Sequence, residues 1–167
     1  IGLGIPAEPL FRSRDRIIED GGNGPYKAIM RADPSLGQEH TLFVPQDLSV
    51  FNAQKPLPVL VWGNGACANS PFEHMNFLNE IASNGFIVLA TGEIPMTDEW
   101  YKGPMSRTEQ QIESLDWIMA QNADPQSPYY QKIDTKHICV AGMSCGGLQT
   151  LANCADERIT ALMICNS

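Results

Sequence analysis

The sequence predicts an α/β fold with a mostly parallel β-sheet flanked by helices. From residue 57 onward, short apolar segments typical of buried strands alternate with segments of helical periodicity, which is the pattern of βαβ units. In the last of these units, the glycine-rich segment 142–147 joins an apolar strand directly to a helix. The length of 167 residues is enough for one domain with a substantial core.

The first 57 residues predict an arm followed by two strands. Residues 1–25 contain three prolines and several glycines and are interpreted as an N-terminal arm. The domain then occupies residues 26–167. Its first two strands are expected at 26–31 and 41–44, with a turn-rich connection between them.

The middle of the chain predicts a strand, a helix and a second strand. Residues 57–62 are almost entirely apolar and indicate the third strand. Ser70, Pro71 and Glu73 have the spacing of a capping box with proline at the first helical position, so a helix is expected from residue 70 to about residue 83. Asn84 and Gly85 are typical of a helix C-terminus, and residues 86–90 form the fourth predicted strand.

The final third of the chain predicts two more helices and two more strands. Residues 106–109 form a second capping box, followed by a helix with an apolar face. Residues 138–141 are the fifth strand and residues 159–165 the sixth. Between them, Leu148 and Leu151 lie on one face of a helix.

Composition limits the classes of partner. The formal net charge is −8, which argues against nucleic acid and anionic membrane surfaces as partners. No apolar run approaches the ~20 residues of a transmembrane helix. The chain begins at Ile1 rather than at methionine, which is compatible with a removed leader and with secretion.

The five cysteines show no metal-binding spacing, so no zinc site is expected. Cys139 and Cys165 lie in apolar strands and are interpreted as free buried thiols. Cys67 and Cys145 both fall in loops at the presumed active-site face. The sequence leaves open a disulfide between them, a disulfide to a cysteine outside this chain, and two free thiols.

The segment from Gly142 to Gly146 has the G-x-S-x-G pattern of a nucleophile elbow. In such an elbow the turn between strand and helix is so sharp that the serine side chain projects above the sheet, and small residues allow the close approach. We therefore predict acyl transfer through Ser144. The alternative is a glycine-rich turn whose serine has no catalytic function.

These features together resemble the α/β-hydrolase superfamily. The resemblance rests on segments 24–26, 60–65, 78–88 and 138–147, and it is strongest to cutinase-like polyester hydrolases, platelet-activating-factor acetylhydrolases and dienelactone hydrolases. It implies a serine hydrolase that cleaves carboxylic esters, either small or polymeric, without a cofactor. It also implies an oxyanion hole formed by the backbone N–H groups of Asn64 and Cys145.

The resemblance places the catalytic acid and histidine after two further strands, beyond Ser167. His40 lies in a family position far from the catalytic face, and His74 is expected to face solvent. His137 leads into the strand that carries Ser144 and is expected at the opposite end of that strand. We therefore expect the fold to be truncated after the sixth strand. A C-terminal fragment or continuation of the same protein would complete the domain and cover the sixth strand.

Candidate walls for an apolar acyl pocket are Met143, Trp100 and Tyr101, although these side chains could equally be ordinary packing. Two further interpretations remain at this stage. One is a non-catalytic protein of the same fold, used for binding or assembly. The other is an enzyme that cleaves a lactone or an amide.

Overall fold

One mixed β-sheet organises the chain in the computed structural model, which describes residues 14–95, 97 and 101–167. Its seven strands are β1 (Arg14–Arg16), β2 (Ala28–Ala32), β3 (His40–Pro45), β4 (Leu57–Gly63), β5 (Ile87–Thr91), β6 (Ile133–Met143) and β7 (Ala161–Cys165). Their order in the sheet is β1-β2-β3-β5-β4-β6-β7. Strands β5, β4, β6 and β7 run parallel, whereas β1, β2 and β3 pair antiparallel.

Helices cover both faces of the sheet. They are α1 (Met75–Ser83), α2 (Gln110–Ala123) and α3 (Cys145–Ala152), with short 3-10 turns at Glu19–Gly21, Gly65–Cys67 and Phe72–His74. The predicted α/β-hydrolase fold class is therefore confirmed. Within the described ranges, no helix is both long and apolar enough to cross a membrane.

Side chains along the central strands point alternately to the two faces of the sheet, so each face has its own hydrophobic core. Leu60 and Val88 point towards α1, where Leu78 is fully buried. Val61 and Leu89 point to the opposite face, where α2 contributes Leu115 and Ile118. Strands buried on both faces are nearly continuous hydrophobic runs, and this explains why residues 57–62 and 86–90 were predicted correctly.

The sequence prediction missed one strand. β1 lies within the segment interpreted as an arm and pairs with β2 at the outer edge of the sheet. Its sequence, Arg-Asp-Arg, has no apolar alternation and therefore gives no strand signal. An ion pair across the strands, from the Arg31 guanidinium to Asp15, helps to hold it in place.

Both capping-box predictions placed the helix start too early. The segment at Ser70 forms the 3-10 turn Phe72–His74, and α1 begins only at Met75. The segment at Ser106 is followed by α2 at Gln110, without a side-chain cap. The predicted end of α1 is correct, since Gly85 adopts a left-handed φ of +90° directly after Asn84.

Candidate active site

Ser144 lies at the junction of β6 and α3 in a strained backbone conformation. Its φ is 51° and its ψ is −116°, in a region that residues other than glycine rarely adopt. Its N–H donates to the Cys165 carbonyl at 2.8 Å, and its own carbonyl accepts from the Gly147 N–H at 2.9 Å. The bonds to β7 and within α3 hold the turn on both sides.

Glycines allow the chain segments around Ser144 to approach closely. A Cβ atom at Gly146 would overlap the backbone of Gly63 at the end of β4. A Cβ atom at Gly142 would overlap the backbone of Gly146. The first turn of α3 therefore lies directly against the C-terminal end of β4, which brings the loop after β4 beside Ser144.

Asn64 begins that loop, and its side chain is buried away from the surface. The amide nitrogen of the side chain donates to the Thr91 carbonyl at 2.7 Å and to the Ala68 carbonyl at 3.0 Å. The backbone nitrogen of Asn64 would lie 2.8 Å from a Cβ atom on Gly146. The side chain thus anchors the loop, while the backbone faces the first turn of α3.

The two backbone N–H groups predicted as oxyanion donors are both unpaired. In the part of the chain that the structure describes, neither the N–H of Asn64 nor that of Cys145 donates a hydrogen bond. Cys145 is the first residue of α3, so its N–H also carries the partial positive charge of a helix N-terminus. Two free donors on adjacent loops can accommodate a developing negative charge on an oxygen atom.

A disulfide bond joins Cys67 to Cys145, with their Cα atoms 5.1 Å apart. Of the three possibilities that the sequence left open, the structure therefore has the bond between the two loops. Cys139, Cys154 and Cys165 are free. Cys139 on β6 and Cys165 on β7 are half-buried, whereas the sequence predicted buried thiols.

A small depression lies beside the loop after β4 and includes one of the three predicted pocket residues. It is lined by Asn64, Ala68, Ser70, Phe72, Glu73, His74 and Tyr101. Met143 does not line it; the Met143 side chain lies against Gly65, where a Cβ atom would be 2.8 Å from the Met143 sulfur atom. Trp100, the third predicted pocket residue, lies outside the described residues.

None of the three histidines bonds to Ser144. His137 is an exposed residue in the first half of β6, and its Nδ1 atom lies 2.8 Å from an Asp134 carboxylate oxygen. Ser144 lies seven positions further along the chain, which corresponds to roughly 20 Å at the rise of an extended strand. The large separation agrees with the expectation from the sequence, but β6 begins at Ile133, so His137 lies within the strand and does not precede it.

The positions of His40 and His74 differ from those expected. His40 was expected far from the catalytic face. It pairs with Thr91 at the end of β5, so it lies at the same end of the sheet as Ser144. Strands β5 and β4 still separate it from β6, about 14 Å at ~4.8 Å per strand. Its Nε2 atom contacts the Gln110 carbonyl at 3.1 Å, and burial lowers the pKa of its imidazole. It is therefore a buried structural residue.

His74 is half-buried rather than solvent-facing. Its ring packs against the Trp62 ring, with centroids 5.0 Å apart. Burial lowers the pKa of this imidazole, which favours the neutral form at neutral pH. Its position in the wall of the depression makes it a candidate substrate contact.

A layer of buried polar side chains beneath Ser144 was missed by the sequence analysis. The Gln111 side chain donates to the Thr150 hydroxyl at 3.0 Å, and the Gln149 side chain donates to the Ser106 carbonyl at 3.2 Å. These bonds connect α2 and the segment before it to α3. One signal was available, because Gln111 falls at i−4 from Leu115 on the apolar face of α2.

Comparison with models of known protein families gives a match to the PET hydrolase-like family over residues 60–165, which is more than half of the chain. The matched segment begins in β4 and ends with β7, so it contains the loop of Asn64, the turn at Ser144 and both bridged cysteines. A search of curated proteins gives no match.

Proposed function

Because this chain belongs to the PET hydrolase-like family, we propose that it carries the nucleophile and the oxyanion donors of a serine ester hydrolase. The family supports ester hydrolysis as the activity. The observation that carries the role of Ser144 is its backbone, with φ 51° and ψ −116°, between a parallel strand and the N-terminus of α3. Such strain in a serine at this position is the mark of a nucleophile elbow.

The proposed reaction proceeds through an acyl-enzyme. The Ser144 hydroxyl oxygen attacks the ester carbonyl while a base removes its proton, and the carbonyl oxygen becomes an oxyanion. The backbone N–H groups of Asn64 and Cys145 donate to that oxyanion. Collapse of the tetrahedral intermediate expels the alcohol, which takes the proton from the base. Water then releases the acid by the same steps and regenerates Ser144.

We further propose that the base and its supporting acid are a histidine and a carboxylate that follow Ser167 in the protein. The contacts of His40, His74 and His137 support this proposal, since none of these imidazoles bonds to Ser144. A serine without a positioned base is a weak nucleophile.

The same continuation would cover an exposed apolar surface. Leu162 and Ile164 on β7 are 42% and 37% exposed, and Leu148 and Leu151 on α3 are 60% and 47% exposed. Within the described residues, β7 pairs with β6 alone. A further strand beside β7 would satisfy its free backbone groups and bury these side chains.

The substrate is proposed to be a carboxylic ester, either a small molecule or a polymer, held against Tyr101, Met143 and Trp100. The disulfide between Cys67 and Cys145 supports secretion, because such bonds persist mainly in oxidising compartments. The chemistry described requires only side chains and backbone donors.

The test uses the full-length protein with the substitution Ser144→Ala. We expect hydrolysis of a chromogenic ester to fall by at least about 10³-fold while the thermal unfolding midpoint is retained, because only the nucleophile is removed. Ser49→Ala is the matched control, since Ser49 is exposed in the loop before β4. Intact-mass spectrometry after a fluorophosphonate probe should show one adduct on the wild type and on Ser49→Ala.

Retained activity in Ser144→Ala, or an adduct at another residue, would overturn the assignment. A wild-type protein with neither adduct nor ester hydrolysis would favour a binding role for this fold. Parallel assays with a lactone and an amide distinguish the type of bond that is cleaved.

A further inference from the structure

A single covalent bond connects the two loops that carry the proposed oxyanion donors. Cys145 itself provides one of the N–H groups, and Cys67 lies three residues after Asn64, which provides the other. The bonded pair is mostly shielded, since Cys67 is only 7% exposed. The disulfide therefore spans the oxyanion site.

The loop after β4 has a backbone that must be held in place. Ala66 and Cys67 are consecutive residues with left-handed φ values of 53° and 48°, which residues with side chains seldom adopt. A loop in this conformation persists only where surrounding contacts maintain it.

The hydrogen bonds of this loop lead away from Ser144. Asn64 is bonded to β5 through the Thr91 carbonyl, and the Cys67 carbonyl accepts from the Ser106 N–H at 2.7 Å. Among the described residues, no hydrogen bond joins residues 64–68 to residues 143–147. The connection between these two segments consists of the disulfide and of packing contacts, since the Met143 side chain lies against Gly65 and the Asn64 nitrogen lies close to Gly146.

We propose that the disulfide between Cys67 and Cys145 is a positioning element of the oxyanion site, so that ester hydrolysis depends on its oxidised form. The inference rests on the proposed function and concerns the same site. Reduction by a dithiol transfers two electrons and two protons to the disulfide. It produces two thiols at Cys67 and Cys145 and the cyclic disulfide of the reagent.

Loss of this bond should affect the transition state more than substrate binding. The ester is held mainly by the pocket walls, whereas the oxyanion exists only after attack by Ser144. We therefore expect kcat to fall and KM to change little. Removal of one oxyanion donor costs about 10²–10³ in kcat, so displacement of a donor should cost about 10- to 100-fold.

The experiment compares the full-length wild type with Cys67→Ser/Cys145→Ser, well below the unfolding midpoint of each protein. We expect kcat of the variant to be about 10- to 100-fold lower than that of the wild type, and KM to stay within about threefold of the wild-type value. Affinity for a trifluoromethyl ketone, which forms a tetrahedral adduct on Ser144, should fall in parallel with kcat/KM. Dithiothreitol should lower the activity of the wild type but not of the variant, and oxidised glutathione should restore it.

The control for stability is Leu42→Ala, a cavity variant in β3, where Leu42 is fully buried far from the loops. It should lower the unfolding midpoint but leave kcat unchanged. If the double serine variant also retains kcat, the disulfide is merely structural and the inference is overturned. Failure of the proposed function is distinguishable, because it would appear as activity in Ser144→Ala.

Discussion

Ser144 combines an unfavourable backbone conformation with a position at the junction of a strand and a helix. Its φ is 51°, and its side chain makes no capping hydrogen bond to α3. The strain is maintained because its N–H and carbonyl are both bonded. The small residues on either side of Ser144 permit this conformation, and they are visible in the sequence. The motif can therefore be recognised without knowledge of the rest of the fold.

The close packing of Gly146 against Gly63 can be tested by one substitution. In Gly146→Ala, the added Cβ would overlap the Gly63 carbonyl, so β4 and α3 must separate. We expect destabilisation of about 3 kcal/mol, towards the upper end of typical overpacking costs, and a loss of kcat measured below the unfolding midpoint. Chemical denaturation and steady-state kinetics are the two measurements.

Gly37→Ala is the matched control. Gly37 has a positive φ of +94° but no atom within 4 Å of an added Cβ. Gly37→Ala should lower the free energy of unfolding by about 1 kcal/mol through backbone strain and leave kcat unchanged. Equal kcat values in the two alanine variants would contradict the role of close packing at Gly146.

Residues that act through distant partners could not be predicted from the sequence. The Asn64 amide bonds to Thr91, which is 27 residues away in the chain, so its anchoring role emerges only when β4 and β5 pair. The sequence analysis gave Asn64 a backbone role alone. By contrast, the pattern that predicts roles for Ser144 and Cys145 is local, because it lies entirely within residues 142–147.

Among the elements, the helix starts show the limit of local patterns. Ser106 has the spacing of a capping residue, but its hydroxyl and carbonyl contact the Gln149 side chain of α3. Tertiary contacts thus compete with the cap, and α2 begins at Gln110. Strands of continuous apolar residues were predicted well, because their burial depends on composition more than on specific partners.

The connection from α3 to β7 gives a prediction about acid stability. A hydrogen-bonded pair with Arg158 lowers the pKa of the Asp156 carboxyl from an ordinary 3.8 to about 2. The pair stabilises the folded protein above pH ~4, and this stabilisation is lost as the pH falls towards ~2, where the folded carboxylate is protonated.

We therefore expect Asp156→Asn to unfold at a lower temperature than the wild type at pH 6, with the difference shrinking between pH 4 and pH 2. The measurement is thermal unfolding across this pH range. Asp47→Asn is the control. Asp47 lies on an exposed loop, and the pKa of its carboxyl is lowered mainly by hydrogen bonds from Ser49. A pH-independent difference for Asp156→Asn would contradict the assignment.

In the part of the chain that the structure describes, the side of β7 that lies away from β6 is exposed. Leu162 pairs in register with Val140 of β6, yet 42% of it is exposed. In Leu162→Lys, the full-length protein should lose at least about 2 kcal/mol of stability if a further strand buries this position. Denaturant titration of the full-length protein measures this loss.

Val50→Lys is the matched control, because Val50 is 40% exposed but lies in a loop away from the sheet edge. It should change stability by less than about 0.5 kcal/mol. Similar small effects at both positions would show that β7 remains an open edge in the complete protein.

The order of the strands places β4 between β5 and β6, and this position determines which part of the chain can change without moving the Asn64 and Ser144 loops. The chain passes from β4 to β5 on one side and then returns to β6 on the other, so β4 lies at a topological switch point. In open α/β sheets, the crevice for ligands opens at such a point. The Asn64 and Ser144 loops leave from these neighbouring strands, whose register pairs Gly63 with Gly142. The segment between β5 and α2 can therefore vary in length and sequence while the Asn64 and Ser144 loops keep their spacing.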